Sequence, residues 1–233
     1  MDKNNTSRSL IFGAGDYTGM PQIGSLASNS LVIAADGGYK YLDSLGIAPD
    51  IYIGDYDSSE CPEGVDAVRL PVEKDDTDML AAVRLALGRG CREIHMFGGT
   101  GGRLDHTLAN IQTLHFVTGR GGCGYLYGSG CAMTVLSGET VRIPSRKSGD
   151  VSLFALDSTV HGVTIRGLKY TLEDGDITPD FPIGVSNSYI GKRAEITVKQ
   201  GCALLYFDCD TALPLERQRL LKFILLLERH RLS

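Results

Sequence analysis

Aspartates collect in the first half of this 233-residue chain where short apolar runs end. Asp36 follows Leu31–Ala35, Asp55 and Asp57 follow Ile51–Ile53, and Asp75, Asp76 and Asp78 come soon after Ala67–Leu70. A single aspartate can be a helix cap or turn residue. Several that converge on one crevice repel each other unless a cation neutralises them, and hard carboxylate oxygens suit Mg²⁺. Beside them lie Gly13-Ala14-Gly15, Gly37-Gly38 and Gly98-Gly99-Thr100-Gly101-Gly102. Such glycine turns let backbone N–H groups approach a phosphate without side-chain obstruction, and a following helix N-terminus adds a favourable dipole. Arg103 closes the third turn and can clamp phosphate oxygens bidentately. Asp105 and His106 follow it, and Lys74, just before the Asp75–Asp78 cluster, is another candidate phosphate contact. In the second half, Gly184-Val185-Ser186-Asn187 forms a turn that either serves the backbone or offers hydroxyl and amide groups to a small polar heterocycle.

The strands and helices that carry these residues can be read from the pattern of apolar runs. Apolar runs at Ser9–Phe12, Leu31–Ala35, Ile51–Ile53, Ala67–Leu70 and Glu93–Phe97 alternate with helical patterns. The clearest helix is Asp78–Leu87, with Asp76 or Thr77 as cap and Gly88 and Gly90 as stop. Continuous apolar strands alternating with helices predict a mostly parallel, helix-covered sheet, whose carboxyl ends form the ligand crevice. From about residue 131 the pattern is strand, turn, strand: Met133–Leu136, Thr140–Ile143, Val151–Leu156, Thr159–Ile165, Leu168–Leu172, Ala194–Val198 and Ala203–Phe207. The expectation is therefore an α/β, Rossmann-like domain over 1–130 and a smaller all-β sandwich or barrel over 131–233, closed by a Leu-rich helix from about Leu215 to His230.

Composition narrows the function. The net charge of −5 gives no electrostatic footprint for nucleic acid or an anionic membrane. The six cysteines form no CxxC pair and no zinc-spaced cluster, which predicts thiols in a reducing, cytoplasmic setting. The N-terminal stretch is polar, with no signal-peptide pattern, and Leu220–Leu227 is too short to span a bilayer.

Taken in order, Ala35-Asp36-Gly37-Gly38, Pro49-Asp50, Ile53-Gly54-Asp55-Tyr56-Asp57-Ser58, Lys74-Asp75-Asp76-Thr77-Asp78 and Gly101-Gly102-Arg103-Leu104-Asp105-His106 with Asn110 resemble the motifs of the thiamine pyrophosphokinase family. Gly162-Val163-Thr164, Gly167-Leu168-Lys169-Tyr170 and Ser186-Asn187 resemble its smaller thiamine-binding domain. The resemblance spans residues 9 to 207. It implies pyrophosphate transfer from ATP to the hydroxyl of thiamine with Mg²⁺, by a homodimer with sites at the subunit interface. It assigns Asp55, Asp57 and Asp78 to metal and catalysis, with Asp105 as a further catalytic carboxylate. Asp36, Gly37, Lys74, Thr77, Thr100, Arg103 and His106 fall to ATP, and Ser186 and Asn187 to thiamine. Tyr56 stands where the family usually has Phe, and the Leu-rich tail is longer than the family pattern.

Rival readings fit less well. Gly13-x-Gly15 with Asp36 imitates a dinucleotide fingerprint, but Thr18 stands where the third glycine belongs. Asp55-Tyr56-Asp57-Ser58-Ser59 has the shape of an aspartyl-phosphate phosphatase motif, yet follows the third strand rather than the first. A non-catalytic nucleotide or thiamine sensor on the same scaffold leaves so many carboxylates without a purpose.

Overall fold

The computed structural model describes residues 6–54, 66–69, 76–212 and 214–220. The expected site residues Asp55, Asp57 and Lys74 lie outside them, as does the tail beyond Leu220. The chain divides into two compact units, residues 1–132 with 209–213, and 133–208 with 214–233.

The first unit is a parallel sheet. Its strands are β1 (Arg8–Phe12), β2 (Leu31–Ala35), β3 (Ile51–Gly54), β4 (Asp66–Arg69), β5 (Glu93–Phe97) and β6 (Cys123–Gly128), in the order β6-β5-β1-β2-β3-β4. Every described pair between these neighbours is parallel. Buried on both faces, β2 is apolar at all five positions, which is why these strands read as unbroken hydrophobic runs. The helices are α1 (Tyr39–Ser44), α2 (Asp78–Gly88) and α3 (Leu104–Gly119). Thr77 is the residue that caps α2, its hydroxyl accepting the Leu80 N–H at 3.2 Å. The chain runs from β1 to β2 on one side, while β5 flanks β1 on the other. The order of connection therefore reverses at β1, and in an open parallel sheet the crevice lies at the carboxyl ends of the strands beside such a reversal.

The strand β6 was not expected from the sequence, where the Gly-rich stretch Gly119–Gly124 leads straight to a border near Gly128–Met133. Its glycine makes room for packing: a Cβ on Gly124 would stand 2.9 Å from Leu114 of α3.

The second unit holds β7 (Cys131–Leu136), β8 (Glu139–Ile143), β9 (Asp150–Ala155), β10 (Val160–Arg166), β11 (Leu172–Ile177), β12 (Asn187–Ser188), β13 (Ala194–Val198), β14 (Ala203–Asp208) and β15 (Glu216–Arg219). One run is ordered β12-β9-β14-β7 and a separate antiparallel sheet β11-β10-β13-β8-β15. β13 alternates buried and half-buried residues along its length, the pattern of a strand with one face on the core.

Two expectations need correction here. The strand expected at Leu168–Leu172 instead runs Leu172–Ile177. Residues before it are held in a turn, because the Asn187 side chain binds both the N–H and the carbonyl of Tyr170, at 2.9 and 2.6 Å. Where the helix expected over Leu215 to His230 was to begin, Glu216–Arg219 is a strand, and residues 221–230 lie outside the described residues. Alternation explains it: Glu216 and Gln218 reach Arg142, while Arg217 turns the other way to the buried Glu139 at 2.8 Å. Among the described residues no helix is long and apolar enough to cross a membrane.

Candidate functional site

A cleft of about 480 Å³ lies at the carboxyl ends of β1, β2 and β5. Three loops and two helix starts build it. Gly13–Asp16 comes from β1, Ala35 and Asp36 from β2, and Gly98–Gly102 from β5; Thr77–Met79 begin α2, and Arg103, His106 and Asn110 begin α3. Arg103, His106 and Asn110 share one side because their spacings of three and four follow the helical repeat. Both helix N-termini bring partial positive charge to the cleft.

Of the residues expected at an ATP site, the cleft brings together Asp36, Thr77, Asp78, Thr100, Arg103 and His106. Gly37 sits just behind, where a Cβ would stand 3.1 Å from Ala14. Asp36 adopts a left-handed backbone with φ of 49°, a conformation that costs a non-glycine residue energy and concentrates at functional sites. Asp105 is beside the cleft rather than in its wall. Arg103 holds it through two bonds of 3.2 and 2.6 Å, and this pairing keeps the Asp105 carboxyl below its ordinary value.

The glycine turns differ in what their N–H groups do. The Gly13, Gly15 and Asp16 amides donate to the carbonyls of Phe97, Gly98 and Thr100 at 2.8, 2.8 and 3.2 Å. The first turn therefore does not offer those donors to a phosphate. Its glycine is demanded by close approach, since a Cβ on Gly15 would lie 2.4 Å from the Gly98 oxygen. The amides of Thr100, Gly101 and Gly102 donate to no group among the described residues. Gly101 and Gly102 have φ of 81° and 64°, a pair of left-handed residues that glycine adopts without steric cost. Behind them the buried Asn110 amide donates to the Gly99 carbonyl at 2.8 Å.

Sequence reasoning missed Asp16 as a cleft residue, although it directly follows Gly15. Its carboxylate accepts the Thr18 N–H at 2.8 Å. Asp50, part of a quoted motif, is elsewhere: it accepts the Val32 N–H at 2.9 Å and ties the starts of β2 and β3. In the second unit, Ser186 is exposed with φ of 60°, its N–H bonded to the Ser152 hydroxyl at 3.1 Å. Asn187 is buried and its amide is engaged with Tyr170.

Comparison with known proteins matches residues 24–120 to the profile "Thiamin pyrophosphokinase, catalytic domain" and residues 139–203 to "Thiamin pyrophosphokinase, vitamin B1 binding domain", together more than two thirds of the chain. A thiamine pyrophosphokinase of Bacillus subtilis is 28% identical over 190 residues, 78% of this chain and 89% of the relative. The crystal structure of a thiamine pyrophosphokinase from that organism superimposes with a TM-score of 0.75 at 26% identity, over 87% of this chain and 99% of the other. One from Geobacillus thermodenitrificans gives 0.74 at 25% identity, over 88% and 99%.

Proposed function

The chain belongs to the thiamin pyrophosphokinase family, and from that premise we propose how its residues divide the work of moving pyrophosphate from ATP to the hydroxyl of thiamine. The observation that carries the reading is the cleft itself, where open N–H groups of Thr100–Gly102, Arg103 and two helix starts face Asp36 and Asp78. Such a mixture suits a polyphosphate that arrives with a cation.

The donor set fits Mg²⁺. Asp36 and Asp78 offer hard oxygens in the same cleft, and Mg²⁺ favours one or two carboxylates together with substrate phosphates. Asp55 and Asp57, outside the described residues, belong to the same proposal. When bound, the ion neutralises polyphosphate charge and helps align it. The protein's own part is positioning and electrostatics, as in phosphoryl transfer generally. The Thr100–Gly102 amides and Arg103 hold phosphate oxygens, with Lys74, Thr77 and His106 as further contacts. The thiamine hydroxyl oxygen bonds to the β-phosphorus, the bond to the α-phosphate oxygen breaks, and AMP leaves. The hydroxyl proton goes to a carboxylate. Asp78 is favoured over Asp105, because Asp78 lines the cleft and Asp105 is held by Arg103.

Thiamine recognition falls to the second unit, with Ser186 presenting its hydroxyl and Asn187 shaping the turn through Tyr170. In fold terms, we read the first unit as Rossmann-like and the second as a β-sandwich. A homodimer is part of the same reading. Exposed Phe154, Phe181, Ile183 and Val185 in the second unit supply apolar surface for one. The free thiols of Cys91, buried, and Cys202, half-buried, suit a cytoplasmic setting.

The test is thiamine-dependent release of AMP from ATP by the full chain. Asp78→Asn should reduce turnover by about a thousandfold with the fold retained. Near-normal turnover in that variant would remove Asp78 from the mechanism.

A further inference from the structure

A loop made almost wholly of glycine has no side chains to fix its own shape. The N–H groups of Thr100–Gly102 point usefully only if neighbours hold the loop from outside. Two of the holds are bonds already described, the amides of Gly15 and Asp16 on one side and the Asn110 amide on the other. The third is Tyr17, a residue no motif includes.

Tyr17 touches the loops that leave β1 and β5 and, through Tyr41, is tied to the loop that leaves β2. Its hydroxyl donates to the Gly13 carbonyl at 2.7 Å and so closes the loop that leaves β1. Its ring lies against Gly98 at the end of β5, so closely that a Cβ there would stand 2.4 Å from the ring. The ring's other contact is a stack on Tyr41 of α1, with centroids 3.8 Å apart and planes 14° from parallel. Tyr41 follows the Asp36–Gly38 turn by three residues, so the stack also ties in the loop that leaves β2. Burial, with Tyr41 alongside, pushes the Tyr17 phenol well above its ordinary range, so its hydroxyl remains a donor.

We propose that Tyr17 is a positioning residue for the nucleotide: clamped by Tyr41 and the Gly13 carbonyl, it presses on Gly98 and sets the third glycine loop at the separation its open amides need to grip polyphosphate. The inference rests on the reading of the first-unit cleft as the ATP site. Tyr17 is not among the residues that line the cleft; it acts through the loop.

The prediction concerns ATP alone. Tyr17→Phe keeps the ring on Gly98 and the stack but loses the bond to Gly13, and should raise the KM for ATP about fivefold. Tyr17→Ala removes all three contacts and should raise it about twentyfold or more. In both, kcat stays within about twofold and the KM for thiamine is unchanged, since binding geometry and not chemistry is altered. Tyr41→Phe, which preserves the stack, should behave as wild type.

A merely structural role gives another result: a lower Tm and a smaller active fraction with the ATP KM unmoved, which would overturn the proposal. Should Tyr17→Ala not fold, Tyr17→Phe decides alone, and a wild-type ATP KM in it sinks the idea. Gly101→Val, which fills the third loop directly, separates this inference from its premise. Binding of a non-hydrolysable ATP analogue with Mg²⁺ should be lost in that variant. If Gly101→Val still binds the analogue normally, the cleft reading fails and the Tyr17 proposal with it. If Gly101→Val loses binding while both Tyr17 variants keep wild-type affinity, only the Tyr17 proposal fails.

Discussion

In the loop at Gly13–Asp16 the amides of Gly13, Gly15 and Asp16 are taken by carbonyls of residues 97, 98 and 100, whereas across the same cleft the amides of Thr100, Gly101 and Gly102 are open among the described residues. Both stretches are rich in glycine and both follow a parallel strand. Glycine serves the first by letting two backbones touch, and the second by allowing left-handed turns that expose donors. A glycine-rich turn after a strand therefore has two physical meanings, and the hydrogen-bond partner of each N–H separates them.

The sharpest way to break that comparison is to add one methyl group to each loop. Gly15→Ala places a Cβ 2.4 Å from the Gly98 oxygen, backbone against backbone, with no flexible group to yield. It should destabilise the protein by about 3 kcal/mol, read as a shifted urea midpoint. Gly101→Ala should cost about 1 kcal/mol of stability for its left-handed backbone, and raise the ATP KM about tenfold as the open amides turn away. If Gly15→Ala left stability unchanged and raised only the ATP KM, the first loop would be a binding element after all.

The comparison also marks what the sequence could and could not reveal. The strands before the loops were legible because burial on both faces leaves them uniformly apolar, and Glu93–Phe97 was located to the residue. The capped start of α2 was equally plain. Cys123–Gly128 was hidden because it starts inside the Gly-rich stretch that precedes the expected border, although Gly124 is there to admit Leu114. The Leu172–Ile177 strand was misplaced because Glu173, Asp174 and Asp176 lie on an exposed edge and show no apolar alternation. For the site, the aspartates and Arg103 were nameable from residue type and position. The closed amides of the first loop and the reach of Tyr17 were not, because both depend on partners some 80 residues away.

A control for stability without binding lies at the buried middle of β5, in the strand that carries the open loop. His95 is fully buried; its Nε2–H donates to Glu93 at 2.9 Å and its Nδ1 accepts from the Tyr127 hydroxyl at 2.8 Å. Burial pushes His95 below its ordinary value of 6.5, outweighing the pull of Glu93 towards the charged form. The sign follows. Below about pH 6.5 the unfolded chain takes up a proton that the folded chain refuses, so stability falls as pH drops and returns as pH rises, by at most about 1.4 kcal/mol per unit. His95→Gln should flatten the stability profile between pH 6.5 and 5 and leave the ATP KM at pH 7.5 unchanged. A raised ATP KM in that variant would mean that the interior of β5, and not only its end, sets the open loop.

The smallest effect bears on the open loop's own guanidinium. Arg103 and Asp105 are both well exposed, at 70% and 64% of their side-chain surface, so their pairing is screened and weak. It nevertheless competes with phosphate oxygens for the guanidinium and places a negative charge beside a polyanion's site. Asp105→Asn weakens that pairing and removes the charge together, so the ATP KM should fall about twofold. Because Asp78 is the proposed proton acceptor, turnover should remain within about tenfold of wild type, the upper range of a positioning effect. A thousandfold loss would transfer the proton to Asp105. It would also mean that Arg103, by holding that carboxylate, serves the chemistry more than it serves the phosphates.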